Sequence, residues 1–476
     1  MEYDVVIGLE VHAELKTQSK CFCSCANSFG QEPNTTCCPV CVGLPGALPV
    51  LNKKAVEQTI RAGVALGFEI NKTAIFERKN YFYPDLAKAY QISQLVKPIC
   101  INGHLRVGEK DIPINRIHLE EDAGKLVHGT DGKTLIDYNR AGVPLIELVT
   151  DALQKPHIET ANEAVEFLEK LRQIYIYAGI SDCMQERGQM RADVNISLKP
   201  KGSKQFGTKV EMKNIMGFRS VKRAIEYEIA RQKEILEDGG VIEQETRKWD
   251  NEKGINFTLR TKENAQDYRY FPDPDLLAVQ ISEEEVEQIK KSIPILPSQY
   301  KHTYMQEYAL SEYEADVLLQ FKHVNDFFNA CVAIYPNPKS LCNWILTDIL
   351  TKIKTESGAG PILISAQDFV WLVQNVDNKK INKINAKEDV LEEIWGTSKS
   401  AEEVAKKKNI MIDINDQALD GIIQEVLKVH IAVVEQFKTE NDPKILNFLV
   451  GQVMKTTRGK ANASVVMEKI KEFTQK

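Results

Sequence analysis

Glu10, His12 and Glu14 stand at alternate positions of Leu9-Glu10-Val11-His12-Ala13-Glu14-Leu15. In an extended strand that spacing puts two carboxylates and an imidazole on one face, with Leu9, Val11, Ala13 and Leu15 on the other. Taken alone, the pattern fits an edge strand with solvated charges. It recurs, however. In Ile114–Glu121, Arg116, His118 and Glu120 lie opposite Ile117 and Leu119, and the strand runs into Glu121-Asp122-Ala123-Gly124-Lys125. In Met190–Lys199, Arg191, Asp193, Asn195 and Ser197 face away from Met190, Ala192, Val194, Ile196 and Leu198. In Lys209–Asn214, Glu211 sits between Lys209 and Lys213. Four such strands predict one sheet with a polar concave side. Oxygen ligands for Mg²⁺ beside Arg and Lys are what phosphoryl transfer from a nucleotide requires.

A second group is built from sulfur. Cys23 and Cys25, twelve residues, then Cys38 and Cys41 give C-x-C followed by C-x-x-C. Two thiolate pairs joined by such a loop suit a closed tetrahedral zinc site, which is structural. Cys21 and Cys37 are surplus and leave the ligand choice open. Arg78-Lys79-Asn80-Tyr81-Phe82-Tyr83-Pro84-Asp85 interleaves cations with aromatics, a composition for holding phosphates and a base, or for an ordinary core and turn. Gly132-Lys133-Thr134 ends like a phosphate loop, but Val127 stands where the first glycine belongs, so a hairpin turn is expected.

The elements that must position these groups are readable. A helix from an Asn52 cap to Gly67 has Val56, Ile60 and Val64 inside; another spans about Glu159 to Ala178. A third keeps Val221, Ile225, Ile229 and Leu236 in register and ends at Gly239-Gly240. From about Pro294 the chain reads helical, with polar connections near residue 400, including Lys406-Lys407-Lys408, read as solvated faces. Near the end, Lys455, Arg458 and Lys460 form a basic cluster suited to an RNA backbone.

With 476 residues the chain exceeds one core, and two to four domains are expected. A net charge of −6 restricts any nucleic-acid site to a local patch. There is no apolar run of membrane-spanning length, and Met1-Glu2-Tyr3-Asp4 does not read as a leader, so ten cysteines imply reduced thiols and a cytoplasmic protein.

Longer stretches carry a resemblance. Gly8-Leu9-Glu10-Val11-His12, Pro39-Val40-Cys41-Val42-Gly43-Leu44-Pro45-Gly46, the Arg78–Asp85 run, His118–Lys125, Gln244-Glu245-Thr246-Arg247 and Asp267–Asp275 are the stretches concerned. Together they resemble the GatB family, the B subunits of the aspartyl/glutamyl-tRNA(Asn/Gln) amidotransferases. The resemblance implies an α+β catalytic domain over 1–293, with a curved, mainly antiparallel sheet similar to glutamine synthetase and the guanidino kinases. All-α domains follow, a helical one over 294–400 and a small YqeY-like tail over 401–476. It implies a heterotrimer with an amidase subunit and a small third subunit. This chain would activate the side-chain carboxyl of Glu-tRNA(Gln) or Asp-tRNA(Asn) with ATP, and ammonia made from glutamine on the amidase would displace phosphate. By the same resemblance, Glu10, His12, Glu120 or Glu121, and Glu211 hold Mg²⁺, with Asp193 and Asn195 close by. On charge and facing alone, Arg191, Lys209 and Lys213 are candidates for phosphate contacts, and Arg78 and Lys79 of the basic–aromatic run are further candidates for nucleotide contacts. Ala87 replaces an expected proline, and Gln185-Glu186-Arg187-Gly188 replaces a more acidic run, which leaves Glu186 without a clear role. Two other classes compete: a zinc-bearing tRNA-binding scaffold without catalysis, and a metallohydrolase using Glu10 and His12. The second lacks the H-E-x-x-H spacing.

Overall fold

The computed structural model describes residues 2–129, 131–261, 268–355, 358–411, 416–440, 442–457, 461 and 463–475. The chain forms two compact units, Met1–Pro297 and Ser298–Lys476.

The first unit opens with β1 (Tyr3–Glu14), then α1 (Lys53–Ala65), β2 (Glu69–Ile70), β3 (Thr73–Ala74), β4 (Glu77–Asn80) and β5 (Tyr90–Ser93). A hairpin of β6 (Cys100–Val107) and β7 (Lys110–Glu121) follows, then a second of β8 (Lys125–His128) and β9 (Thr134–Asp137). Next come β10 (Pro144–Thr150), α2 (Ala161–Tyr177), β11 (Met190–Pro200), β12 (Val210–Ile215) and α3 (Phe218–Glu237). The unit closes with β13 (Glu245–Asp250), β14 (Ile255–Thr261), β15 (Phe271–Pro272), β16 (Val279–Gln280) and α4 (Glu283–Lys291).

Nine strands make one sheet in the order β14-β13-β12-β11-β1-β10-β7-β6-β2. Its neighbours are antiparallel except β12 and β13, which are parallel and joined through α3. The first strand in sequence is thus the middle of the sheet. Leu9, Val11, Ile117, Leu119, Val194 and Met212 are buried in a core shared with Ile60 of α1, Phe167 and Leu171 of α2, and Ile225 of α3. The opposite face is the polar one. Strands β15, β4 and β5 form a small separate sheet, and β3 pairs with β16.

Local signals explain the boundaries. Asn52 caps α1 by accepting from the Lys54 and Ala55 amides, and its Nδ2 donates to Ser19 O, Ser19 Oγ and Lys20 O. A Thr160/Glu163 capping box starts α2. Gly132 and Lys133 lie in the connection between β8 and β9, a hairpin as expected. Gly103 is required by packing, since a Cβ there would come within 2.1 Å of the Phe68 ring. β7 begins earlier than the polar pattern indicated, at Lys110, because Gly108-Glu109 closes a two-residue turn with Val107 opposite Lys110.

Among the described residues of Ser298–Lys476, the regular structure is helical apart from a two-residue pairing of Lys354–Thr355 with Gly358–Ala359. The junction expected near 400 falls inside this unit. Its last helices, Asp416–Val429, Ile431–Glu440, Pro443–Thr456 and Ala463–Gln475, share a core of their own that includes Leu419, Ile423, Leu449, Val453, Val466 and Ile470. Lys406 pairs with Glu402, and Lys408 with Asp389 and Glu393, as solvated charges.

Candidate active site

Register across the sheet assembles the polar face. On β1, Glu10 lies opposite Asp193 of β11, and His12 opposite Glu147 of β10 and Arg191 of β11. Glu147 in turn faces His118 of β7, and Asn195 of β11 faces Glu211 of β12. Two clusters result, side by side because Glu10 and His12 are two residues apart on one strand.

The first is Glu10, Asp193 and Glu211, whose carboxylate oxygens lie within 4.8 Å of one another. Lys213 Nζ bridges it, 2.7 Å from Asp193 Oδ2 and 2.8 Å from Glu211 Oε1. Burial disfavours charge on Lys213, but the two carboxylates outweigh it and raise its pKa. Thr246 Oγ1 donates to Glu211 at 2.8 Å. Asn195 Nδ2 donates to Glu10 at 2.9 Å, while its buried Oδ1 has no hydrogen-bond partner among the described residues. Three carboxylates with an orphan amide oxygen alongside fit a hard ion such as Mg²⁺.

The second is His12, Glu120 and Glu147, with ligand atoms again within 4.8 Å. His12 Nε2 is 3.6 Å from Glu120 and 3.4 Å from Glu147, and His118 Nε2 is 3.5 and 3.3 Å from the same pair. Burial opposes a charge on His118, yet Glu147 and Glu120 push its pKa up to about 9. His12 is raised by the same carboxylates against its burial. Glu147, although buried, is held well below the usual carboxylate range by the two imidazoles. The two imidazoles and the two buried carboxylates favour one another's charged forms, and a divalent cation would supply the same compensation. Next along β1, burial and then Asp122 push Glu14 up to about 7.

None of the remaining candidates joins either ligand cluster. Arg191 Nη2 pairs with Asp122 at 2.8 Å, close to Arg140. Lys79 is enclosed by Tyr81 and Tyr268; burial works against its charge, and Glu120, Tyr270 and Glu147 raise its pKa. Arg78 is committed to Asp273 and Asp275, at 3.0 and 2.7 Å, and lies over the Tyr90 ring. Lys209 is exposed at the entry to β12. Glu121 is not brought to either cluster. It has the parity of Leu119, so its carboxylate pairs with Lys88 and accepts from the Ile92 amide. Of the two acids left open by the sequence, Glu120 is the one beside His12.

Cys23, Cys25, Cys38 and Cys41 converge with sulfurs within 4.8 Å of one another. A zinc tetrahedron with Zn–S of about 2.3 Å spaces its sulfurs by roughly 3.8 Å. Cys38 and Cys41 Sγ are already 3.9 Å apart. Cys41 is held down to about 4 by hydrogen bonding from Cys23, against its burial, and by the Cys38 amide and Lys20. Lys20 is fully buried, its Nζ 3.7 Å from Cys41 Sγ. The four thiols and this cation fit a structural zinc ion.

Comparison with known proteins gives the family. A model described as the GatB/GatE catalytic domain matches residues 5–287, and one described as the GatB domain matches 326–473. The aspartyl/glutamyl-tRNA(Asn/Gln) amidotransferase B subunit of Caldicellulosiruptor bescii is 49% identical over an alignment of 490 positions, gaps included, that covers all of both chains. The chain belongs to the GatB family. The proteins of the same name from Persephonella marina and Thermoanaerobacter pseudethanolicus are 49% and 47% identical, over at least 99% of this chain and all of theirs.

In this GatB chain the site contains two groups that sequence reasoning missed. Glu147 lies within Pro144-Leu145-Ile146-Glu147-Leu148-Val149-Thr150, where both faces are buried and no alternation marks it. Its one signal is being the lone acid in an apolar run. Lys20 had no signal beyond its place just before Cys21. Arg458 and Lys460 of the basic cluster lie outside the described residues; Lys455 is exposed at the end of its helix.

Proposed function

We propose that this chain performs the ATP-dependent half of a tRNA-dependent amidotransferase reaction, with an amidase partner supplying ammonia and a small third subunit completing the complex. The observation carrying this reading is the pair of carboxylate clusters set side by side on one sheet face, with Lys213 bridging the first. A carboxylate is a poor electrophile at neutral pH. The side-chain carboxylate oxygen of the esterified Glu or Asp attacks the γ-phosphorus of ATP, the bond to ADP breaks, and an acyl phosphate forms. Ammonia then attacks the acyl carbon, phosphate leaves, and the nitrogen loses a proton. Magnesium, when bound, neutralises and aligns the phosphate oxygens. Glu10, Asp193 and Glu211 would hold one ion, and His12, Glu120 and Glu147 a second. Lys213 offers its ammonium to the transferred phosphoryl group, and Arg191 and Lys79 bring further positive charge to the face. The cysteine cluster would pin the loop leading from β1 to α1 and take no part in the chemistry. The division at 294 and 401 remains our domain proposal, with the tail meeting tRNA.

The test uses the co-expressed complex. Glu10→Gln or His12→Ala should abolish tRNA-dependent ATP cleavage and transamidation together, while basal glutaminase activity survives. Full ATP cleavage in Glu10→Gln with glutaminase lost would show that the strand serves the other half-reaction.

A further inference from the structure

Strand order places one continuous row of side chains across the polar face. Glu10 is opposite Asp193, whose carboxylate is bonded by Lys213; Lys213 is opposite Lys248 of β13, and Lys248 opposite Phe257 of β14. Facing is fixed on both sides of the sheet. Thr246, two residues before Lys248, donates to Glu211 on the polar face, whereas Asn256, next to Phe257, is buried against Glu228 of α3 on the other. From the centre outward, the row is carboxylate, carboxylate, ammonium, ammonium, aromatic ring. Phe257 is 43% exposed on the edge strand, although its neighbour Asn256 is buried. A large aromatic left open beside two lysines, on the face that carries the clusters, needs a partner.

We propose that Phe257 is the stacking surface for the purine base of ATP, and that Lys248 contacts the phosphates nearer the ribose. This rests on the reading that Glu10, Asp193, Glu211 and Lys213 hold the terminal phosphate. Adjacent strands lie about 4.8 Å apart, so Phe257 is two spacings, roughly 10 Å, from Lys213. That is the reach of an extended triphosphate and ribose. Arg78, tied to two aspartates, leaves the phosphate role to the lysines of this row. Stacking on a phenyl face accepts any base, so the site favours purines over pyrimidines by stacking area alone.

The experiment measures ATP–Mg²⁺ binding to the complex by equilibrium dialysis, with KM for ATP and for mischarged tRNA. Phe257→Ala should weaken ATP binding roughly five- to 150-fold, the range for losing one base–aromatic stack. Its kcat should hold at saturating ATP, and Phe257→Trp should restore affinity. Inhibition by inorganic tripolyphosphate, which has no base, should be unchanged in Phe257→Ala and weakened in Lys248→Ala. A Glu211→Gln complex separates the two claims: if it loses ATP cleavage while Phe257→Ala binds ATP normally, the base subsite is wrong and the phosphate site stands. If Glu211→Gln cleaves ATP at full rate, the underlying reading has failed. A rise in KM for tRNA alone would overturn the proposal by giving Phe257 to the tRNA terminus, and loss of complex assembly by giving it to a contact with a partner protein.

Discussion

At the scale of single residues, Glu147 is the one whose role the geometry adds. It touches both His12 and His118 and sits opposite each across the sheet. Glu147→Gln removes a proposed ligand and one of the two carboxylates that face His12 and His118. ATP cleavage should fall by at least about 100-fold, on the scale of several kcal/mol that a metal supplies; a parallel melting curve checks that the fold survives. Lys20→Met should keep the cysteine loop but lower zinc affinity by about ten- to 100-fold, the usual weight of a group that tunes ligands from behind, measured by chelator competition. Zinc itself should be found at about one per chain and be lost in a Cys38→Ser, Cys41→Ser double variant. Side-chain parity was legible along β1, β7 and β11 because a strand alternates with period two. Which acid would meet which imidazole was not, since that depends on register between strands far apart in sequence. Glu120 and Glu121 differ by one position and face opposite ways, so the face of His118 separates them, but only the fold shows that the strand continues to its end.

At the scale of elements, the helices were readable where capping chemistry marks them. Asn52 starts α1, and both helices that follow β10 and β12 end within a few residues of their expected limits. Strands β10, β13 and β14 were not read as strands. β10 is buried on both faces, and β13 and β14 carry Arg247, Lys248 and Asn256 among their apolar residues. Asn52 also ties α1 to the segment before Cys21, so Asn52→Ala should cost about 1–2 kcal/mol of stability and speed zinc release, both measurable by denaturation with a zinc-sensitive dye. Gly103→Ala should destabilise by about 1–3 kcal/mol through overpacking on Phe68, with melting as the readout.

At the scale of the whole molecule, the terminal helices have their own core, Leu419 to Ile470, apart from the sheet. Deleting residues from about 410 onward should weaken tRNA binding and leave the catalytic unit folded, as judged by circular dichroism and filter binding. Neutralising Lys455, Arg458 and Lys460 should reduce the salt slope of binding by roughly one unit for each lost phosphate contact; an unchanged slope would place the cluster in solvent. The helical character of this half was legible from about Pro294.

The central place of β1 has a consequence in time. It is made first, yet its partners lie far downstream: the Leu9 amide bonds Thr150, 141 residues on, and Glu10 is met by Asn195, 185 residues on. At about 5–20 residues per second, the first strand leaves the ribosome roughly 10–40 s before its second neighbour exists. Until Thr150 and Ile158 are made, Val5-Val6-Ile7-Gly8-Leu9 is an unpaired apolar ribbon open on both edges to any other strand, and one edge then still waits for β11. Nascent chains arrested before residue 190 should therefore be protease-sensitive and bound by chaperones, and chains arrested once Pro200 has cleared the exit tunnel should become resistant. A cell that makes this protein must shelter its central strand until the sheet can close around it.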